Sequence, residues 1–316
     1  MCKLILPALC LAGLVAGCSR SEVHAPARPL RVFHAAGMTP VLDTVRHDCR
    51  SDLGIELLTE GSGSQVACRK LTELGRSADL LILADSALVS ELLSGVCSWR
   101  LDFACDEVVL GVGKRAPDVS AAEDDWVSVL LRDDVRVGRV DENQGPSGYR
   151  TLLVWKLEEL RSGRSLYDRL LAKSDKVVDD VSRLAALLRA GEVDYGFVYR
   201  SICIAMDMRY IELDPQVNLG SQDVDYSRAT VAFEKLKSGA KETVTVRGEP
   251  SAWTLAIPDR GADEAAAGDF VRWFLAKKAD VIARNGLRQV SPALFYGARE
   301  KFPPFESVAR YAGDLR

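Results

Sequence analysis

Four short stretches of the chain carry residue types that hold small anions. "HAAGMT" (34–39), "EGSGS" (60–64), "NQGPSG" (143–148) and "DDVS" (179–182) each place small or hydroxyl residues just ahead of an amphipathic run. At a strand-to-helix junction, unpaired N–H groups and the positive end of a helix dipole face the same way, which suits a negatively charged ligand. "EGSGS" is the most informative of the four. Gly61 and Gly63 let the backbone approach a ligand, while Ser62 and Ser64 offer hydroxyls where a helix begins. The competing role for Ser64 is to cap its own helix. No GxGxxG or GxxxxGK[ST] pattern points to a nucleotide. No Ser/His/Asp or Cys/His arrangement and no suitably spaced carboxylate pair points to catalysis. Histidines occur only at 24, 34 and 47 and form no HExxH motif.

A fifth stretch, "DYGFVYRS" (194–201), reads as a short buried strand ending in Tyr199 and Arg200. From the residues alone Tyr199 is either a core residue or a ligand contact. Other residues that could do chemistry have structural expectations. His34 packs or hydrogen-bonds beneath the first loop. Arg150 and Arg200 either place positive potential near an anion or, as arginines flanking strand ends more often do, pair with surface carboxylates; Asp85 and Asp106 belong to the scaffold near a crossover, and Cys203 is a buried thiol.

The elements that must position these junctions alternate along the chain. "LRVFHAA" (30–36) predicts a strand, and "TPVLDTVRHDCRSDL" a helix with Thr39 as cap and Pro40 at its first position. "GIELLTE" is the next strand, "SQVACRKLTELGR" a helix closed by Gly75, and "ADLLILAD" a third strand. "DEVVLGVGKR" (106–115) adds a strand, and the pattern restarts with "DVRVGRVD", two helices and "DYGFVYRS". "KETVTVRG" is more β-like, and "SAWTLAIPDRG" leads into a closing helix. Short apolar strands separated by helices predict an α/β architecture with covered sheets. The restart predicts two lobes, with the chain crossing between them more than once and a ligand cleft between them.

Composition and the N-terminus bound the setting. At 47% hydrophobic and 27% charged the chain reads as globular, and a net charge of −4 offers no footprint for nucleic acid. "MCKLILPALCLAGLVAGCSR" has the layout of a secretory signal, too short to span a bilayer permanently. Within it "LVAGC" resembles the bacterial lipobox, which makes Cys18 the expected lipid anchor after a signal over 1–18, followed by a linker over 19–29. The remaining cysteines, Cys49, Cys68, Cys97, Cys105 and Cys203, are odd in number, so at least one stays unpaired or finds an external partner. None has CxxC spacing, so structural zinc is not expected.

In order and spacing, "RVFHAAGMTPVL", "TEGSGSQVACRKLTELGRSADLLILAD", "GPSGYRTLLVWKLEEL" and "AGEVDYGFVYRS" resemble the substrate-binding protein of molybdate/tungstate ABC importers, in particular its tungstate-type branch. The resemblance continues through "YIELD", "VNL" and "LAIPDRGADEAAAGDFVRWFL", and runs from Leu30 to about Pro292. It implies a type II-like periplasmic-binding-protein fold, with residues 30–108 plus 255–316 in one lobe and 109–254 in the other. It also implies a monomer, lipid-anchored in the periplasm or at the cell surface, that passes molybdate or tungstate to an ABC permease and its ATPase. No enzymatic activity, no cofactor and no directly bound metal are implied. A receptor for another small anion, and a ligand-sensing lipoprotein without transport, are the alternatives.

The site residues follow position by position. Ser64 stands where the family has a serine that donates to the oxyanion, and Ser147 and its N–H open a helix facing the cleft. The family's "FHAGSL" is here "FHAAGM", which puts Gly37 where a serine hydroxyl is expected, with Thr39 able to supply one. Two carboxylates that complete a six-coordinate metal in the tungstate-type branch are replaced, one at Gln144 and Gly145 and the other at Val198. The expectation is therefore a tetrahedral dianion held by neutral donors in a pocket without carboxylates. In other molybdate receptors a strand like "GIVY" supplies a tyrosine hydroxyl, with a helix N-terminus eighteen residues earlier, and here these are Tyr199 and Val181. On the resemblance, Tyr199 is a ligand contact.

Overall fold

The computed structural model describes residues 28–315 except 145, 238 and 239. The expected signal, the Cys18 anchor, most of the linker and Gly145 lie outside the described residues. The first lobe opens with β1 (Arg28–Ala35), α1 (Thr39–Leu53), β2 (Ile55–Ser62), α2 (Ser64–Thr72), β3 (Leu80–Leu83), α3 (Ala87–Leu92) and β4 (Trp99–Cys105). The second contains β5 (Val108–Val112), α4 (Val119–Leu130), β6 (Val137–Val140), α5 (Pro146–Ser162), α6 (Tyr167–Lys173), β7 (Lys176–Val178), α7 (Val181–Ala190), β8 (Tyr195–Tyr199), α8 (Arg200–Ala205) and β9 (Tyr210–Ile211). A hairpin, β10 (Thr230–Lys237) and β11 (Ala240–Arg247), precedes the return through β12 (Ala252–Ala256), α9 (Glu264–Lys277), α10 (Ala279–Arg284), β13 (Arg288–Gly297) and β14 (Ala309–Gly313).

Two sheets result. The first has the order β14-β13-β4-β12-β3-β1-β2, and the second β7-β6-β8-β5-β9. Both are mixed rather than parallel throughout: β1 runs parallel to β2 and β3, while β12 is antiparallel to β3 and β4, and β5 is antiparallel to β8 and β9. Each sheet has a buried apolar cluster on either face, which explains why strands such as "LLIL" and "VVLGV" are apolar at every position. Because β12 pairs wholly within the first sheet, the return crossing falls before Ala252 rather than at residue 255. Strands β4, β13, β14 and β10 were not anticipated. Helix α1 also starts differently, with Met38 as its N-cap and Thr39 as its first residue.

Asp106 and Glu107 occupy the first crossing. The Asp106 N–H donates to the Ser251 carbonyl at 2.9 Å, which ties the outgoing chain to the returning one. The Asp106 carboxylate accepts the Ser201 hydroxyl at 2.5 Å, and burial pushes its pKa up to about 7. Glu107, 1% exposed, accepts from Asn218 at 2.8 Å and from Arg288 at 3.2 Å. Arg200 approaches the same carboxylate to 3.4 Å and also donates to the Tyr210 hydroxyl, so its partners include one deeply buried group. The five described cysteines are all unpaired and buried, and burial pushes each thiol up to about 12.

The start of α5 depends on a glycine. A Cβ on Gly148 would sit 2.2 Å from the Asp141 carbonyl oxygen and 2.6 Å from the Glu142 Cα. Only a bare Cα lets the helix begin this close to the end of β6. Gly148→Ala should therefore destabilise the protein by about 1–3 kcal/mol, the usual cost of overpacking. Urea unfolding checks this, and a midpoint equal to the wild type would show that the contact relaxes freely.

Candidate functional site

A cavity of about 320 Å³ lies between the lobes, where several strands of each sheet give way to helices. Its lining includes Gly63 and Ser64 at the start of α2, Ala84 and Asp85 after β3, Ser147 and Arg150 on α5, Asp180 and Val181 at the start of α7, and Tyr199 at the end of β8. Four of the sequence-predicted residues, Ser64, Ser147, Val181 and Tyr199, are thus brought together. A larger hollow of about 380 Å³ beside the crossing, lined by Cys105, Asn218, Gln222 and Arg288 among others, is built from loops and strand ends. It receives no helix start.

Ser64 does not cap its helix. The N-cap is Gly63, and the Ser64 hydroxyl oxygen instead accepts the Ala84 N–H at 3.1 Å. With the oxygen engaged on that side, the hydroxyl proton remains available to a ligand. At α7, the Asp180 carboxylate accepts from the Ser182 and Arg183 N–H groups at 2.7 and 3.3 Å. The Val181 N–H is not among those it satisfies, and as a first-turn amide it has no intrahelical acceptor. At α5, Pro146 has no N–H, so Ser147 carries the first amide of a 17-residue helix.

Tyr199 is half-buried, and its hydroxyl oxygen accepts from Arg150 Nη1 at 3.0 Å. Burial raises its pKa, and the nearby guanidinium only partly opposes that rise, so the phenol keeps its proton and can donate it. Arg150 itself is 6% exposed. Its charge is penalised by burial, but Tyr199 and Asp85 outweigh the penalty and hold its pKa above the ordinary value. The expectation that Arg150 pairs with surface carboxylates is therefore corrected. Its partners are the Tyr199 hydroxyl and, at 3.8 Å, the buried Asp85 carboxylate.

The cavity also has carboxylates, contrary to the expectation of a pocket without any. Asp85, Asp179 and Asp180 all line it, and Asp85 sits at the cleft rather than serving only as scaffold. Each has donors of its own: Asp85 accepts the Tyr149 hydroxyl at 3.2 Å, Asp179 pairs with Arg183 at 3.1 Å, and Asp180 takes the two α7 amides. Among the described residues no group of three or more His, Cys, Asp and Glu is placed to hold a metal ion.

The remaining predicted residues lie elsewhere. A Cβ on Gly37 would meet the Trp253 ring at 3.2 Å, so this glycine packs toward the first-lobe core. A Cβ on Gly61 would meet Thr39 Oγ1 at 3.1 Å and His34 at 3.0 Å, which places the Thr39 hydroxyl against the end of β2. Ser62 accepts from Lys70 Nζ at 3.1 Å. None of Gly37, Thr39 and Ser62 lines the cavity. His34 is 1% exposed and bonds through Nδ1 to the Ala35 carbonyl at 2.9 Å, and burial lowers its pKa. Gln144 does line the cavity, whereas Val198 belongs to the buried cluster between the second sheet and α7.

Comparison with known proteins agrees with this architecture. A family model described as bacterial extracellular solute-binding protein matches residues 30–288. An uncharacterized solute-binding protein of Petrotoga mobilis is 33% identical over 269 residues, covering 83% of this chain and 84% of that one. The molybdate/tungstate-binding protein WtpA of Pyrococcus abyssi is 25% identical over 329 residues, covering 92% and 94%. Among solved structures, the substrate-binding domain of a putative molybdenum ABC transporter from Clostridium difficile superimposes with a TM-score of 0.59 at 16% identity, covering 84% of this chain and all of that one.

The placement of Val198 changes what a carboxylate there would do. At 1% exposure among Val109, Val140 and Leu188, a glutamate at this position would be desolvated rather than presented to a ligand. Burial raises a carboxyl pKa above its unfolded value, so stability is lost as pH rises from the unfolded pKa through the folded one. Val198→Glu should cost about 3–5 kcal/mol at pH 8 and clearly less at pH 5, as read by urea unfolding. A variant of wild-type stability with altered ligand binding would place Val198 in the site instead.

Proposed function

The chain belongs to the bacterial extracellular solute-binding protein family, and on that premise we propose that it captures a tetrahedral oxyanion, molybdate or tungstate, for an ABC importer. Members of the family bind a small solute on behalf of an ABC transporter and are not enzymes. One observation carries the finer reading: Ser64, Ser147, Val181 and Tyr199, from four separate strand-to-helix junctions, converge on one cavity beside the buried guanidinium of Arg150. Hydroxyls, helix-start amides and a guanidinium are all donors, and such a set complements oxygen atoms arranged around a central atom. Similarity to the molybdate/tungstate-binding protein of Pyrococcus abyssi supports molybdate or tungstate over other anions of this shape.

Gln144, which lines the cavity, brings no carboxylate where the tungstate-type branch ligates its metal, and this favours a tetrahedral ion over a six-coordinate centre; Val198 is buried away from the cavity and bears on neither. Asp85, Asp179 and Asp180 do not alter this, because each is already bound by protein donors. The proposal extends to the N-terminus, where "LVAGC" makes Cys18 the lipid-bearing residue of the mature chain.

Calorimetric titration with molybdate, tungstate, sulfate and phosphate tests the assignment. Tungstate or molybdate should bind most tightly, and Ser64→Ala and Tyr199→Phe should each weaken binding by about 1–3 kcal/mol, the range for losing one hydrogen bond to a charged group. Tyr199 has a raised pKa and Arg150 stays charged, so affinity should be flat between about pH 6 and 9 for an anion that does not titrate there. Binding confined to a protonated anion, or undiminished in both variants, would defeat the reading. Intact-mass analysis of the membrane-fraction protein should find a diacylglyceryl group on Cys18, and Cys18→Ser should release the protein from the membrane.

A further inference from the structure

One carboxylate of the first lobe reaches across the cleft to two side chains of the second. Asp85 follows β3 and is 8% exposed. Its Oδ2 accepts the Tyr149 hydroxyl at 3.2 Å, and its Oδ1 accepts the Ala87 N–H at 3.2 Å while lying 3.8 Å from Arg150 Nη2. Tyr149 and Arg150 are consecutive on α5, so the contact spans the lobes. The preceding residue, Ala84, donates its N–H to the Ser64 hydroxyl oxygen at 3.1 Å, and Arg150 donates to the Tyr199 hydroxyl at 3.0 Å. A chain of contacts therefore runs from a first-lobe donor, Ser64, through Ala84, Asp85 and Arg150 to a second-lobe donor, Tyr199. Between groups this buried, charge attraction is screened far less than at a surface.

We propose that Asp85 is the positioning residue of this cleft: it fixes the separation of the lobes and aims Arg150 at Tyr199, so that Ser64 and Tyr199 face the same anion. The second half of this assignment rests on the oxyanion reading of the site, and the first half does not. Asp85 touches no ligand in this scheme. It acts through Arg150, whose guanidinium would otherwise keep its burial without a counter-charge.

Small-angle scattering and tungstate calorimetry on Asp85→Asn, Tyr149→Phe, Arg150→Lys and the double variant Asp85→Asn/Arg150→Lys test both halves. Asp85→Asn is nearly isosteric, and Tyr149→Phe removes one interlobe hydrogen bond without touching a charge. Without ligand, Asp85→Asn and Tyr149→Phe should both show a larger radius of gyration than the wild type. With tungstate, Asp85→Asn should bind about 10-fold more weakly, and its effect should shrink to under about 2-fold when measured against Arg150→Lys, because coupled residues are not additive. An unchanged radius of gyration in both Asp85→Asn and Tyr149→Phe overturns the lobe-fixing role. An equal loss in both backgrounds, or no loss, overturns the aiming of Arg150. Should the wild type bind no oxyanion, the anion reading fails, and the scattering comparison alone decides the role of Asp85.

Discussion

A guanidinium enclosed between two lobes is costly unless its donors are occupied and its charge is met. Arg150 donates to the Tyr199 hydroxyl at 3.0 Å and has the Asp85 carboxylate as counter-charge at 3.8 Å, two partners from the ends of strands in different sheets. Much of the cleft follows from satisfying that one side chain. For Arg150 to reach Tyr199, α5 must begin close to the end of β6, and that approach requires Gly148 where a side chain would strike the Asp141 carbonyl. Starting α5 there also brings Ser147 to the cavity. For Arg150 to approach Asp85, the end of β3 must face α5 across the cleft, and the same segment then holds the Ser64 hydroxyl through Ala84.

The crossings set the angle at which the second sheet leaves the first. The outgoing and returning strands are linked by the Asp106 to Ser251 hydrogen bond, and two neighbouring carboxylates are bound on different sides. Asp106 has neutral donors from Ser201 and the Glu107 amide, which leave its buried charge poorly compensated and its pKa high. Glu107 is met by Arg200 from the second lobe and Arg288 from the first, so it carries the ionic link at this end of the cleft. Asp85 carries the corresponding link at the ligand end. The two lobes are thus joined by charge at two depths of the same cleft.

Much of this was legible in the chain. The strand-to-helix alternation and the hydroxyl-bearing junctions are local patterns, and local patterns survive into the fold. Ser64 and Ser147 stand at junctions whose residue types mark them, whereas Val181 and Tyr199 follow from the family resemblance alone, and all four line one cavity. The face occupied by Val198 was also legible, since side chains alternate along a strand and residues 198 and 199 must point opposite ways. A family correspondence led past that alternation. The partners of Arg150 were not legible, because they are 49 residues later and 65 residues earlier and neither pairing leaves a periodic trace. The choice between capping and ligand donation at Ser64 was open in the chain, and the fold removes the capping role, as Gly63 takes the cap and Ser64 makes a tertiary contact. β10 was missed because charged residues such as Glu234 interrupt the apolar alternation that marked its partner β11.

The charges that line the cavity appear at first to argue against an anion. One guanidinium, Arg150, stands among three carboxylates, Asp85, Asp179 and Asp180, so the lining has no excess of positive charge. Long-range attraction therefore does little to draw an anion in. What decides the matter is which groups remain able to meet a ligand. Asp85 is occupied by Tyr149 and Ala87, Asp179 by Arg183, and Asp180 by two amides of its own helix. The Ser64 and Tyr199 hydroxyl oxygens each accept one bond from the protein, which leaves their protons free to donate, and the Ser147 and Val181 amides have no acceptor within their helices. An oxyanion entering this space would meet the Ser64 and Tyr199 hydroxyls and the Ser147 and Val181 amides, donors supplied by both lobes. Fixed donors recognise by distance and angle more than by charge. A site of this kind discriminates among anions by the size and shape of their oxygen arrangement, and the spacing of Ser64 from Tyr199 across the lobes becomes the measure it applies.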